Sequence, residues 1–326
     1  MTTRRTTLRM LGAVIASASL TVRGQSSRAI PRVAYFHPGS AEGSAVYKAL
    51  IPGLADLGYV DGRNITLELR SGNGKPEAIP ALVAELVRLD PAILLVVGPA
   101  AVKAATAATR SIPIIAIDLE SDPVQSGWVK SLSRPGGNAT GFFLDSTGMS
   151  AKWLQLLHET VPHARRISLL WDASSGGAQL AATKAAASAF SVEVQTVPIV
   201  NWGDFDAAVA SALQARPEAF VVLSSPTAFQ YSARFAEFTN RNRIPAISPF
   251  RPYATAGGLM SYGPDLDLFF RRTAFTIDRI LKGAKASELA AEQPNKYELV
   301  INMKTATLLG LTIPQSLLLR ADEVLR

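Results

Sequence analysis

Residues 92–97, AILLVV, followed by Gly98-Pro99-Ala100, are the stretch on which the fold turns. Six apolar residues in a row are too few to cross a bilayer as a helix, which takes about 20. They also lack the polar alternation of a half-exposed strand. A run of this kind belongs to a strand covered on both faces, as in the interior of a parallel sheet. Gly98 and Pro99 break the run, small residues over 100–109 read as a helix, and 113–118 (PIIAID) is a second short apolar run. Strand, helix and strand in that order form a βαβ unit, the element of a doubly wound sheet.

The same alternation extends in both directions. Upstream, 31–36 (PRVAYF) reads as a strand, 41–57 as a helix stopped by Gly58, 64–69 (NITLEL) as a strand and 76–88 as a helix with an apolar stripe. Downstream, an element at 124–132 and a strand at 140–144 close this half. The pattern then restarts with a helix over 150–160, and strands at 166–171 (RISLLW), 192–197, 219–223 (AFVVL), 244–248 and 257–262. Helices over 178–190, 204–213, 227–240 and 266–281 lie between or after them. A strand at 297–302 (YELVIN) and a helix near 304–309 finish the chain. Two such halves predict an α/β protein of two doubly wound, Rossmann-like lobes.

The N-terminus carries Arg4, Arg5 and Arg9 ahead of an apolar, Ala/Ser-rich run over 10–22, and no acidic residue precedes Glu42. A basic segment followed by a short apolar one is the order of a bacterial export signal. Arg4-Arg5 resembles a twin-arginine signal, although Thr6-Thr7 follow the pair. The expected leader is 1–24, with cleavage after Gly24 and after Ala18 as the competing site. The mature chain is therefore expected to be periplasmic. The full chain has 33 Lys+Arg and 26 Asp+Glu, +7 in all; without Arg4, Arg5, Arg9 and Arg23 the balance is 29 against 26, or +3. That balance, with no basic cluster interleaved with aromatics, argues against a nucleic-acid partner.

Of 326 residues none is cysteine and three are histidine. Disulfide scaffolds, thiolate metal sites and cysteine nucleophiles are excluded, and no metal site is expected. No GxGxxG, GxxxxGK[ST] or GxSxG occurs, so neither a cofactor nor a catalytic residue is expected. His158-Glu159 followed by Pro162-His163 is not a zinc-protease motif, and Asp204/Asp206 and Asp265/Asp267 read as helix caps. What remains is polarity at strand ends, where ligands bind in open α/β sheets. The candidate ligand-binding residues there are His37, Ser40, Gly98, Ala100, Asp118, Glu120, Ser121, Asp172, Ser174, Ser224 and Ser225. Small residues at helix starts admit a carboxylate to backbone N–H groups. Acids opposite take an ammonium group by charge-assisted hydrogen bonds. Together they describe a site for a zwitterion.

Several segments carry a family resemblance: 257–264 (GGLMSYGP), Ile280-Leu281-Lys282-Gly283, 293–302 (QPNKYELVIN), 309–314 (LGLTIP) and the ending Arg320-Ala321-Asp322-Glu323-Val324. So do 58–64 (GYVDGRN), Asp122-Pro123-Val124 and 133–141 (SRPGGNATG). The chain resembles the TrpX-like family of ABC-transporter substrate-binding proteins. That resemblance implies a type I periplasmic binding fold with three hinge crossings, near 140–144, 244–248 and 294–302. Lobe 1 is then 31–143 plus about 249–293, and lobe 2 is 144–244 plus about 303–326. It implies capture of a small solute of the amino-acid class, aromatic members included, and delivery by a monomeric receptor to an ABC permease. Gly98-Pro99-Ala100 departs from relatives by having fewer hydroxyl donors. In the segment Ser248-Pro249-Phe250-Arg251, also different, Phe250 is placed to stack on a ligand ring and Arg251 to pair with an anion. The competing readings are the ligand-binding subunit of a sensory system and an exported two-lobed hydrolase or racemase.

Overall fold

The computed structural model of the protein describes residues 30–326. The expected leader over 1–24 lies outside them. Strands β1 (Arg32–His37), β2 (Thr66–Ser71), β3 (Ile93–Val97), β4 (Ile114–Asp118) and β5 (Ala139–Phe143) form a five-stranded sheet in the order β2-β1-β3-β4-β5. Every pairing in it is parallel. Helices α1 (Ala45–Asp56), α2 (Ile79–Arg88) and α3 (Pro99–Ala108) connect these strands. All residues of β3 and β4 are buried, as a continuous apolar run requires.

The second sheet contains β6 (Arg166–Asp172), β7 (Glu193–Ile199), β8 (Ala219–Val222), β9 (Ala246–Ser248), β10 (Met260–Pro264), β11 (Tyr297–Asn302) and β12 (Glu323–Leu325). Its order is β12-β11-β10-β9-β8-β6-β7. It is parallel except for the antiparallel pair β10–β11. The intervening helices are α4 (Ser146–Thr160), α5 (Ala178–Ala187), α6 (Phe205–Ala212), α7 (Pro226–Gln230), α8 (Ser232–Arg241) and α9 (Arg251–Thr255). Three more follow: α10 (Leu266–Leu281), α11 (Met303–Leu308) and α12 (Gln315–Leu318). The helix expected over 227–240 is broken at Tyr231 into α7 and α8. The segment 124–132 is a run of turns. Asp122 Oδ1 starts it by accepting from the N–H groups of Val124 and Gln125, both at 2.8 Å.

The middle crossing differs from the expectation at 244–248. β9 lies inside the second sheet, pairing with β8 through Phe220↔Ala246 and with β10 through Met260↔Ile247. α9 is tied to the same lobe by Tyr253 Oη to Thr239 Oγ1 at 3.0 Å, and by Asn302 Nδ2 donating to Ala254 O at 3.0 Å. The chain leaves this lobe only after Pro264. α10 then packs on α1, where Gly53 permits the approach: a Cβ there would stand 2.9 Å from Ala274 Cβ. The segment around 289–292 borders β5, with Phe143 N–H donating to Glu292 O at 2.9 Å and Glu292 N–H to Gly141 O at 2.8 Å. Lobe 1 therefore gains residues from about 266, not from 249, and the passages between lobes fall at 144–145, 265 and 293–296.

Asn302 also caps α11, its Oδ1 accepting from Thr305 N–H at 3.1 Å. Asn302→Ala removes that cap and one of the bonds to the Ala254 carbonyl, which keeps the Gly257 N–H at 3.1 Å, and should cost about 1–3 kcal/mol in urea unfolding. Asn302→Asp keeps the cap and loses the link, so its loss should be smaller; no loss in Asn302→Asp would show that the link to α9 contributes nothing.

Candidate functional site

The C-terminal edges of the two sheets face each other. Between them lies a cavity of about 30 Å³, on the scale of a few water molecules. Lobe 1 contributes His37, Val97, Ile117 and Glu120 to its wall, and lobe 2 contributes Ser225 and Phe250. Of the residues expected from sequence, four thus reach the cavity itself: His37, Glu120, Ser225 and Phe250. The wall is otherwise apolar and includes Val46, Leu119, Phe229 and Phe270, which the sequence reading did not single out. Those residues sit on helix faces or next to strand ends, where a lining residue carries the same apolar pattern as a core residue.

His37 ends β1 and is buried. Its Nδ1 accepts from Gly39 N–H at 3.0 Å, so the neutral ring carries its proton on Nε2. Burial pushes its pKa down to about 3. Asp118 ends β4, and its Oδ1 accepts from Glu120 N–H at 3.2 Å and Ser121 N–H at 3.1 Å. Ser121 Oγ donates to the other oxygen, so Ser121 positions Asp118 and does not line the cavity. Glu120 Oε1 accepts from Ser224 Oγ at 2.8 Å, a bond from lobe 1 to lobe 2. Burial raises the Asp118 and Glu120 pKa values; for Glu120 the charges of Asp118 and Asp172 add to the rise, against the Ser224 bond.

The remaining candidates serve other ends. Asp172 Oδ1 accepts from Ser174 N–H at 2.9 Å and Ser174 Oγ at 2.6 Å, and its Oδ2 accepts from Trp202 Nε1 at 2.8 Å. Asp172 and Ser174 thus brace their own loop. Gln179 holds Ser224 in place, accepting from its N–H at 2.5 Å and donating to its carbonyl at 3.1 Å. Gly98 adopts φ +89 ahead of α3, and its N–H is used by Ile117 O at 2.8 Å. Pro226 of lobe 2 lies against Gly98, and neither Gly98 nor Ala100 lines the cavity. Arg251 does not line this cavity and pairs with Glu323 and, at 3.8 Å, with Glu298. Ser40 sits at the cleft rim, where its N–H donates to Gln230 Oε1 at 3.0 Å and its carbonyl accepts from Gln230 Nε2 at 2.8 Å. Gln230 was not legible as a site residue, because only the docking of the lobes gives it a partner. Among the described residues no group of three or more His, Asp or Glu could hold a metal ion.

Two α/β lobes whose strand ends enclose a cavity define the type I two-lobed binding proteins. More particularly, the sequence pattern of the family described as ABC transporter substrate binding protein matches residues 36–325, and the chain belongs to that family. A tyrosine-binding protein of Clostridioides difficile (strain R20291) is 25% identical over 267 residues, 79% of this chain and 74% of that protein. The solved structure of an ABC domain from Streptococcus pneumoniae in complex with L-Trp is similar at TM-score 0.79 and 23% identity, covering 90% of this chain and 99% of that one. A conserved domain protein of Vibrio cholerae gives the same figures, TM-score 0.79, 23% identity, 90% and 99%. At that identity these two structures speak for the fold.

The titrations have opposite signs. Glu120 holds its proton more tightly folded than unfolded, so it lowers stability as pH rises from the ordinary carboxylate range, about 4.3. His37 resists protonation when folded, so it lowers stability as pH falls from about 6.5 toward about 3. Glu120→Gln should therefore gain on the parent protein as pH rises from 5 to 8, and His37→Gln should gain as pH falls below about 6.5. Thermal unfolding across pH 4–9 measures both; an offset constant with pH for either variant would contradict its part.

Proposed function

We propose that the chain is the exported, monomeric solute receptor of an ABC importer, and that it captures an amino acid in the inter-lobe cleft for delivery to a membrane permease. The observation that carries this reading is the cavity itself: apolar walls, one carboxyl from Glu120 and a reach across both lobes. An ammonium group on Glu120 favours its ionised form, so capture releases a proton that burial otherwise retains. The Nε2–H of neutral His37 and the Ser225 hydroxyl are the polar groups on the wall for a carboxylate. Val97, Ile117 and Phe250 receive the side chain. The names of the relatives that bind tyrosine or hold L-Trp support the same solute class.

Binding begins on one lobe, and rotation about the passages at 144–145, 265 and 293–296 brings the second lobe onto the solute. The closed form gains population because both lobes contact the solute only there. A bulky aromatic amino acid needs more room than about 30 Å³, so its bound form holds the lobes wider than in this structure.

Calorimetric titration of the mature chain with the common L-amino acids tests this directly. Binding heat that depends on buffer ionisation at pH 7 is expected, with a loss of about 10–100-fold in affinity for Glu120→Gln. No heat and no thermal shift across a broad solute panel would overturn the amino-acid reading.

A further inference from the structure

α7 contributes Pro226 and Phe229 to the lobe 2 wall of the cavity, and the segment around it, from Ser224 to Gln230, is fastened to lobe 1 at both ends. Ser224, just before α7, donates to Glu120 of lobe 1 at 2.8 Å. Gln230, its last residue, makes the reciprocal pair with the Ser40 backbone at 3.0 and 2.8 Å. Between the two bonds, Ser225, Pro226 and Phe229 face the cavity.

Both sides of the rim pair are rigid. The loop carrying Ser40 is pinned to the end of β2, with Gly72 N–H donating to His37 O at 2.8 Å, Asn73 N–H to Gly39 O at 3.1 Å and Gly74 N–H to Pro38 O at 2.9 Å. On lobe 2, Phe229 packs edge-on against Phe250 with ring centres 5.1 Å apart, and Tyr231 Oη donates to Trp202 O at 2.9 Å. Gly39 is what lets Gln230 approach. A Cβ at Gly39 would overlap Gln230 Oε1 and stand 3.0 Å from its Cδ. The two bonds therefore form only at one separation of the lobes.

We propose that Gln230 is a closure latch that gauges solute size. Resting on the solute-receptor reading, the latch stays formed over a solute that fits beneath α7, and a bulkier solute is held without it. Gln230 is thus a specificity-determining residue that need not touch the solute.

The chain has no cysteine, so spin labels at Val124→Cys on lobe 1 and Val200→Cys on lobe 2 report lobe separation without background. Both positions are exposed. Gln230→Ala and Gly39→Ala should each lower the closed-to-open ratio about tenfold, the worth of an exposed pair of hydrogen bonds. In the double variant Gly39→Ala should add nothing further. L-Alanine, L-leucine and L-tryptophan then probe the gauge: Gln230→Ala should weaken the smallest probe bound by about tenfold and leave the bulkiest within about twofold. Distances unchanged in Gln230→Ala would overturn the latch, and an equal loss for all probes would overturn the gauge. Shifted distances with no binding of any common L-amino acid would support the latch while overturning the amino-acid reading.

Discussion

A parallel strand covered on both faces can place a polar side chain only where it ends, and the architecture of this protein follows from that constraint. β3 and β4 are buried along their whole length, and their backbone groups are engaged with neighbouring strands. Polar residues are displaced to the carboxyl edge: His37 closes β1, Asp118 closes β4, Asp172 closes β6 and Ser248 closes β9. Because the two sheets turn these edges toward each other, polar groups from distant parts of the chain converge on one cleft. The rest of each sheet is left to apolar packing.

Convergence does not make the residues equivalent. Asp172 accepts three hydrogen bonds from its own lobe and is used in holding the loop after β6 against Trp202. Asp118 is ringed by the N–H groups of Glu120 and Ser121, so it shapes the loop that presents Glu120. Glu120 alone of the three both lines the cavity and reaches the opposite lobe. Burial makes ionisation of that carboxyl costly, and a cationic group placed beside it lowers the cost. A buried acid in a cleft is in this way a stored preference for a particular charge on the solute.

The sequence made the strand cores legible because unbroken runs such as AILLVV at 92–97 admit few alternatives. Polarity at the strand ends was also legible, and of the residues it singled out His37, Glu120 and Ser225 line the cavity. It could not separate lining residues from bracing ones, since Asp118 and Asp172 occupy the same topological position as residues that line the cavity. The placement of 244–248 as a crossing failed because a three-residue strand such as β9 is fixed by its neighbours and not by its own length. Residues 124–132 read as an element of the alternation, but Asp122 satisfies two successive N–H groups and directs the backbone into turns. Gln230 had no signal at all: a polar residue at the end of a short helix is ordinary until a loop from the other lobe meets it.

Moving the middle passage to 265 changes how closure works. All of 246–264 now travels with lobe 2, so Phe250 approaches the cavity together with Ser225 and Phe229 as one body. α10 travels with lobe 1 because it is packed on α1 where Gly53 leaves room. The connections between lobes are then three short segments, which absorb rotation without requiring either sheet to bend. Rotation of two rigid bodies offers essentially one coordinate to the solute. Contacts at the inner bond between Glu120 and Ser224 and at the rim bond between Ser40 and Gln230 are therefore made or lost together along it. On the proposed reading, a solute is recognised by its charge at the first and by its bulk at the second, and α7 links the two.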